Sequence, residues 1–129
     1  MKNRNPIESF NNAFQGIWYT IVNERNMKIH LAIGTIVILL SLWVRVSKIE
    51  FTILCLTIAM VICFELINTA VEVVVNIIVD VYHPKAKIIK DVSAGAVFVS
   101  AIFSIVIGLL ILWDKVIHKL SMLLAYCYK

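Results

Sequence analysis

Three long apolar stretches alternate with short polar segments along the chain. They cover about residues 29–46, 50–81 and 91–113, and none of them contains a proline. An α-helix rises about 1.5 Å per residue, so the shortest stretch covers about 27 Å, close to the ~30 Å hydrocarbon core of a bilayer. We therefore predict an all-α membrane protein with three transmembrane helices.

The segment before the first apolar stretch has a different pattern. Between about residues 6 and 22, apolar residues recur at intervals of three and four, and the opposite face carries asparagine and glutamine. This spacing predicts an amphipathic helix that lies at the membrane surface with its aromatic side chains at headgroup level. A water-facing helix packed on the bundle is the alternative.

Two further boundaries follow from local chemistry. The second helix should end before Tyr82-His83-Pro84, because proline lacks a backbone donor and disfavours helical geometry in the residue before it. After Trp113 the pattern is less definite, and residues 114–129 fit either an extension of the third span or a short interfacial helix.

The basic residues favour one orientation in the membrane. One side would carry seven of them and the other side five. The seven are Lys2, Arg4, Arg25, Lys28, Lys85, Lys87 and Lys90, and the five are Arg45, Lys48, Lys115, Lys119 and Lys129. Because cytoplasmic segments carry the excess of Lys and Arg, we expect a multi-pass protein of the inner or plasma membrane with its amino terminus and second loop in the cytoplasm.

Composition supports the membrane assignment and limits the partners. Of the 129 residues 61% are hydrophobic and 16% charged, and the mean hydropathy is +0.93. The net charge of +4 comes from basic residues at the ends of apolar stretches, which indicates contact with lipid headgroups rather than nucleic acid. A chain this short can enclose little space by itself. We therefore expect a homo-oligomer whose subunits together enclose any polar site.

One polar stripe interrupts the second apolar stretch. Because residues in a helix turn by about 100° each, Glu65, Asn68, Glu72 and Asn76 fall on one face about 80° wide. Insertion scales assign roughly 2.5–3.5 kcal/mol to a charged side chain near the centre of a membrane helix. Two carboxylates at such a cost indicate a functional site.

The residue types of this stripe suit phosphate chemistry. Glu24 and Glu72 could hold Mg²⁺, which is commonly bound by one or two carboxylates together with substrate phosphates. Glu65, the deepest of the carboxylates, could accept a proton from an attacking hydroxyl. The pair Lys90-Asp91 lies near the same boundary, where a lysine could neutralise a transferring phosphoryl group.

The spacing of these residues is also compatible with a structural role. Glu65 and Glu72 could instead form a structural ion-pair network with Arg25, Lys28 or Lys90. The glycine-rich phosphate loops and the catalytic-loop motif of soluble kinases are both absent from the sequence.

At these residues the chain resembles the small bacterial membrane lipid kinases, the family of diacylglycerol kinase and undecaprenol kinase. The resemblance is carried by four motifs: NERN at 23–26 with His30 after it, ELINTAVE at 65–72, DVYHPKAK at 80–87 and KDVSAGAV at 90–97. Their order and spacing hold over roughly residues 8–113. The segments HPKAK and SAGAV are most similar to the branch from Gram-positive bacteria, in which undecaprenol is the expected acceptor.

The resemblance implies a homotrimeric bundle with a surface helix and three spans in each subunit, and active sites shared between subunits. It implies a kinase that uses Mg²⁺ and ATP to phosphorylate a lipid hydroxyl. The implied roles are a catalytic base at Glu65, metal ligands at Glu24 and Glu72, polar or substrate-binding positions at Asn68, Lys90 and Asp91, and nucleotide contacts at Tyr82 and His83.

The chain departs from the family pattern at three positions. Asn76 stands where the family usually has aspartate, and Ile89 and Ser93 stand where alanine is common. The sequence also leaves the function open between undecaprenol and diacylglycerol as acceptor. A small cation-coupled transporter and a structural subunit of a larger complex are the alternatives from other classes.

Overall fold

The computed structural model describes residues 5–79 and 81–127. This part of the chain forms four α-helices and contains no β-strand. They are α1 (Pro6–Asn23), α2 (Arg25–Val44), α3 (Lys48–Ile78) and α4 (Pro84–Cys127). The last three are long and apolar enough to cross a membrane. The all-α membrane fold with three long apolar helices, predicted from the sequence, is thus confirmed.

Local chemistry explains where the first two helices begin and end. The Asn5 side chain accepts a hydrogen bond from the Ile7 amide, and Pro6 occupies the first turn, where no donor is lost. Glu24 has extended backbone angles and separates α1 from α2, while its amide still donates to the Thr20 carbonyl at 2.9 Å. Glu24 therefore stands at a corner between two helices and not within either of them.

The turn between α2 and α3 is short and well capped. Arg45 is left-handed, with φ of 57°, and its amide bonds to the Leu42 carbonyl. Two residues later Ser47 and Glu50 form a reciprocal capping box, in which each side chain bonds to the backbone amide of the other residue. Such a connection reverses the chain, so α2 and α3 run antiparallel.

Four polar contacts join α3 to α4 along their length. They are the hydrogen bonds Lys90–Asn76 (3.3 Å), Ser93–Asn68 (2.7 Å) and Ser104 to the Thr57 carbonyl (3.4 Å), and the ion pair Lys115–Glu50 (3.3 Å). As residue numbers rise along α4, those of the partners fall along α3. The two helices therefore form an antiparallel hairpin whose register is set by side-chain contacts.

Helix boundaries differ from the predicted membrane boundaries. α2 begins at Arg25 and α4 at Pro84, each several residues before the apolar stretch that it contains. Charged residues mark where the bilayer ends, but lysine, arginine and asparagine are tolerated in a helix that continues into water. The predicted end of the second span includes Asp80, which lies outside the described residues.

α4 is also longer than a membrane crossing requires. Its 44 residues correspond to about 66 Å, against a hydrocarbon core of ~30 Å. Of the two alternatives for the chain after Trp113, the structure has a direct helical continuation of α4 as far as Cys127.

The interior of the bundle is small, and most large apolar side chains face outward. Met27, Leu54 and Val61 are buried, whereas many Ile, Leu, Val and Phe side chains are exposed, as expected for helices surrounded by lipid. The helices α2 and α3 approach closely at Gly34, where a β-carbon would lie 2.9 Å from Cγ2 of Ile58. Only glycine fits this crossing without displacing its neighbour.

Candidate active site

Glu65 is the most unusual side chain of the interior. It is 1% exposed, and neither of its carboxylate oxygens has a hydrogen-bond partner among the described residues. The neighbouring Thr69 is also buried, but its hydroxyl is satisfied by the Glu65 backbone carbonyl at 3.0 Å. Burial of a carboxyl group without a partner is costly, and such groups are typically retained for function. Glu65 is therefore available to bind a hydroxyl or accept its proton.

A chain of hydrogen bonds begins one turn further along α3. The Asn68 amide nitrogen donates to Oε1 of Glu72 at 3.2 Å, and the Asn68 amide oxygen accepts from the Ser93 hydroxyl at 2.7 Å. Asn68 is 6% exposed, and Glu72 is half-buried. The predicted polar stripe on α3 thus contacts α4 at Asn68 through the Ser93 side chain.

Lys90 extends the polar surface toward the end of the hairpin. Its Nζ donates to the Asn76 amide oxygen at 3.3 Å, and the lysine itself is half-buried. Asn76 is neutral, so the hydrogen bond holds the ammonium group without cancelling its charge. Asp91, the next residue, is exposed.

Glu24 approaches this group of residues from the corner between α1 and α2. It is half-buried, and its side chain makes no capping hydrogen bond with the helix that follows. Both Glu24 and Glu72 are near enough to Glu65 to interact with it electrostatically. Carboxyl groups from two separate parts of the chain, Glu24 before α2 and Glu65 and Glu72 on α3, therefore interact through their charges.

The structural ion-pair network considered above is not formed. In residues 5–79 and 81–127, no basic side chain makes a salt bridge with Glu65 or Glu72. Lys28 instead donates to the Val22 carbonyl at 2.8 Å, and Lys90 is bound to Asn76. Within the described residues, Glu65 and Glu72 are thus uncompensated by a nearby cation, whereas Glu50 of the same helix pairs with Lys115.

Tyr82 and His83 lie in the loop before α4. Both are exposed, and Tyr82 has 78% of its surface accessible. The imidazole Nδ1 of His83 accepts a hydrogen bond from the Lys85 amide at 3.2 Å, as a helix-capping side chain does. No contact in the described part of the chain joins either residue to Glu65.

The carboxyl groups offer hard oxygen ligands of the kind that Mg²⁺ prefers. The described residues contain no cluster of three or more His, Cys, Asp or Glu side chains placed to hold an ion. Two carboxylates, Glu24 and Glu72, agree with the low number of protein ligands that Mg²⁺ commonly takes when phosphate oxygens supply others. Asn68 bonds to Oε1 of Glu72, which leaves Oε2 available for an ion.

Apolar side chains in the same region form a groove and bring no charge to it. On the face of α3 opposite Glu65, apolar residues and the first turns of α4 form an open groove of about 630 Å³. Its lining includes Val71, Val74, Ile78, Ala86 and Ile89. α3 therefore separates a polar surface from an apolar one.

The chain is similar in sequence to known lipid kinases. The model of the prokaryotic diacylglycerol kinase family matches residues 11–112. Undecaprenol kinase of Bacillus subtilis is 44% identical over 108 residues, which cover 84% of this chain and 88% of that protein. A diacylglycerol kinase of Synechocystis is 39% identical over 81% of this chain and 60% of its own length.

A more distant relative shares the same region. Diacylglycerol kinase of Escherichia coli K12 is 24% identical over 79% of this chain and 84% of its own length. The family match covers α1 from Asn11 onward, all of α2 and α3, and α4 as far as Leu112, and therefore includes every candidate site residue. The chain belongs to the prokaryotic diacylglycerol kinase family of membrane lipid kinases.

Proposed function

We propose that this protein transfers the γ-phosphate of ATP to the hydroxyl of undecaprenol, yielding undecaprenyl phosphate and ADP. The observation that carries the proposal is the buried Glu65 carboxyl group, which has no hydrogen-bond partner in the described part of the chain. The choice of acceptor is supported by the 44% identity to an undecaprenol kinase over most of both chains.

In the proposed reaction Glu65 acts as the general base. It takes the proton from the lipid hydroxyl as the hydroxyl oxygen attacks the γ-phosphorus and the bond to the β-phosphate oxygen breaks. The Asn68 side chain, one turn away on α3, would help to bind the acceptor. Positioned bases of this kind contribute about 10²- to 10⁴-fold to rate.

Glu24 and Glu72 are proposed to hold Mg²⁺ together with the phosphates of ATP. When bound, the ion neutralises charge that develops on the transferring phosphoryl group. Lys90 would contact the same phosphates, because Asn76 orients its ammonium group without removing the charge. Asp91, Tyr82 and His83 are proposed contacts of the nucleotide, reached from the loop before α4.

The assembly and orientation are further parts of the proposal. A monomer exposes Glu72 and Glu24 partly to its surroundings, and a homotrimer with sites between subunits would enclose them. The amino terminus and second loop would face the cytoplasm, where ATP is available, in the plasma membrane. α1, with exposed Phe10, Phe14 and Trp18, would lie as an amphipathic helix at that surface.

Diacylglycerol is the second candidate acceptor, because a diacylglycerol kinase is 39% identical over 81% of this chain. The two are distinguished by initial rates of phosphate transfer from labelled ATP, measured with purified protein in bilayers that contain equal mole fractions of undecaprenol or diacylglycerol. We expect faster transfer to undecaprenol. Faster transfer to diacylglycerol would reverse the assignment, and no transfer to either lipid would refute the proposed function.

A further inference from the structure

We propose that Ser93 is a positioning residue for the Glu72 carboxylate and acts through the Asn68 side chain. The inference builds on the proposed function, in which Glu72 holds Mg²⁺. The side chains form a continuous sequence of hydrogen bonds from α4 to α3, with donor–acceptor distances of 2.7 Å and 3.2 Å.

The direction of these bonds follows from the chemistry of the groups. An ionised carboxylate can only accept hydrogen bonds, so the Asn68 NH₂ group must face Glu72. The amide oxygen of Asn68 then faces α4, where it requires a donor. The Ser93 hydroxyl supplies that donor, and it thereby selects the amide orientation that serves Glu72.

The Ser93 hydroxyl has a second possible acceptor. The carbonyl of Lys90, one turn earlier in α4, lies 2.9 Å away, and a hydroxyl has a single proton to donate. The contact with Asn68 is shorter, and its acceptor belongs to a side chain that is 6% exposed, which gives water little access to it. Without the hydroxyl, the buried amide oxygen would lack a partner, and the amide would be free to turn away from Glu72.

As a consequence, the two carboxylate oxygens of Glu72 have different roles. Oε1 is bound by Asn68, so Oε2 is presented in one direction for an ion. Groups that orient a metal ligand in this way typically affect metal affinity or activity by about 10- to 100-fold. Ser93 bonds to no reacting group. It contributes to Mg²⁺ affinity because it orients the Asn68 side chain, which in turn positions Glu72.

The test is a Mg²⁺ titration of Ser93→Ala and Ser93→Thr, read in two ways. The first readout is the rise in melting temperature of the purified protein with a non-hydrolysable ATP analogue, and the second is the rate of lipid phosphorylation. We expect Ser93→Ala to raise the half-saturating Mg²⁺ concentration roughly 10-fold in both. Ser93→Thr, which retains the hydroxyl, should restore affinity close to that of the wild type.

Ser100→Ala is the matched control. Ser100 is a buried serine of the same helix, whose hydroxyl bonds only within α4, to the Val97 carbonyl at 2.8 Å. It should leave the Mg²⁺ dependence unchanged. An unchanged half-saturation in Ser93→Ala, or an equal shift in Ser100→Ala, would overturn the role of Ser93. A wild-type protein that binds Mg²⁺ with the nucleotide analogue but transfers no phosphate would instead refute the proposed function, and the melting-temperature readout would still test Ser93.

Discussion

Replacement of Glu65 by glutamine removes a proton acceptor and leaves the shape of the side chain nearly unchanged. Glu65 is 1% exposed and has no hydrogen-bond partner among the described residues, so none of their carboxylates is bonded to Glu65 and placed to take over the proton. General-base catalysis contributes about 10²- to 10⁴-fold, which corresponds to about 2.7–5.4 kcal/mol of transition-state stabilisation. We expect the initial rate of lipid phosphorylation by Glu65→Gln to fall within this range.

The same substitution should not reduce the stability of the fold. An unpaired carboxylate in a buried position is more costly than a neutral amide of the same shape. We therefore expect the melting temperature of Glu65→Gln in detergent to equal or exceed that of the wild type. Lower activity combined with equal or higher stability is a signature that a purely structural residue would not produce.

Glu50→Gln provides the matched control. It makes the same chemical change on the same helix, at an ion pair with Lys115, and lies about 22 Å from Glu65 along α3. The control should keep its rate of phosphorylation, with a small loss of stability from the capping box and the ion pair. Near-normal turnover by Glu65→Gln, or a comparable loss of turnover in Glu50→Gln, would refute our assignment of the base.

Three other substitutions test the site and the packing. Glu72→Gln should raise the half-saturating Mg²⁺ concentration of phosphorylation by more than about 10-fold, because it removes a proposed ligand. Asn76→Asp should raise the KM for ATP by up to about fivefold, since a carboxylate would pair with Lys90 and offset its charge at a strength of about 0.2–1 kcal/mol. Gly34→Ala should lower the free energy of unfolding, because the new β-carbon meets Ile58. We expect the loss to be about 1–3 kcal/mol larger than for a Gly→Ala substitution at an uncrowded position in a helix.

Two of these predictions have a control variant, and the third has a refuting outcome. Asn76→Ala removes the hydrogen bond to Lys90 without adding charge, so a KM equal to that of Asn76→Asp would argue against charge compensation. Gly108→Ala is the reference for packing, since nothing lies within 4 Å of a β-carbon there. Equal stability of the two glycine variants would contradict the close crossing of α2 and α3. A Mg²⁺ dependence unchanged in Glu72→Gln would remove Glu72 from the metal site.

Much of the fold is readable from the sequence because lipid imposes a simple rule. A membrane helix must satisfy its own backbone and present apolar side chains, so long apolar stretches identify α2, α3 and α4. The polar stripe is equally readable, since the spacing of Glu65, Asn68 and Glu72 needs only the helical period. The ends of the helices are harder to predict. Charged residues such as Arg25 and Lys115 mark the predicted edge of the membrane, but the helices include them.

The contacts between helices could not be predicted in the same way. Ser93 is a small residue in a segment of small residues, and its sequence context suits close packing as well as hydrogen bonding. Its role depends on the register of α4 against α3, which brings its hydroxyl 2.7 Å from Asn68. The partner of Lys90 likewise depends on this register: the sequence offers carboxylates, whereas the structure shows the neutral Asn76.

The polar contacts along the α3–α4 hairpin also determine which changes of chain length the protein can tolerate. About 27 Å of helix separates Asn68 from Glu50, so one pair of helices carries the candidate site at one level and the ion pair with Lys115 at another, far from it. One residue inserted into α3 between Thr57 and Asn68 would rotate the part of the helix before the insertion by about 100° relative to the part after it. The ion pair could then persist only if Glu65 and Asn68 turned away from Ser93. Substitution of lipid-facing residues should therefore be far better tolerated than any insertion or deletion within this hairpin.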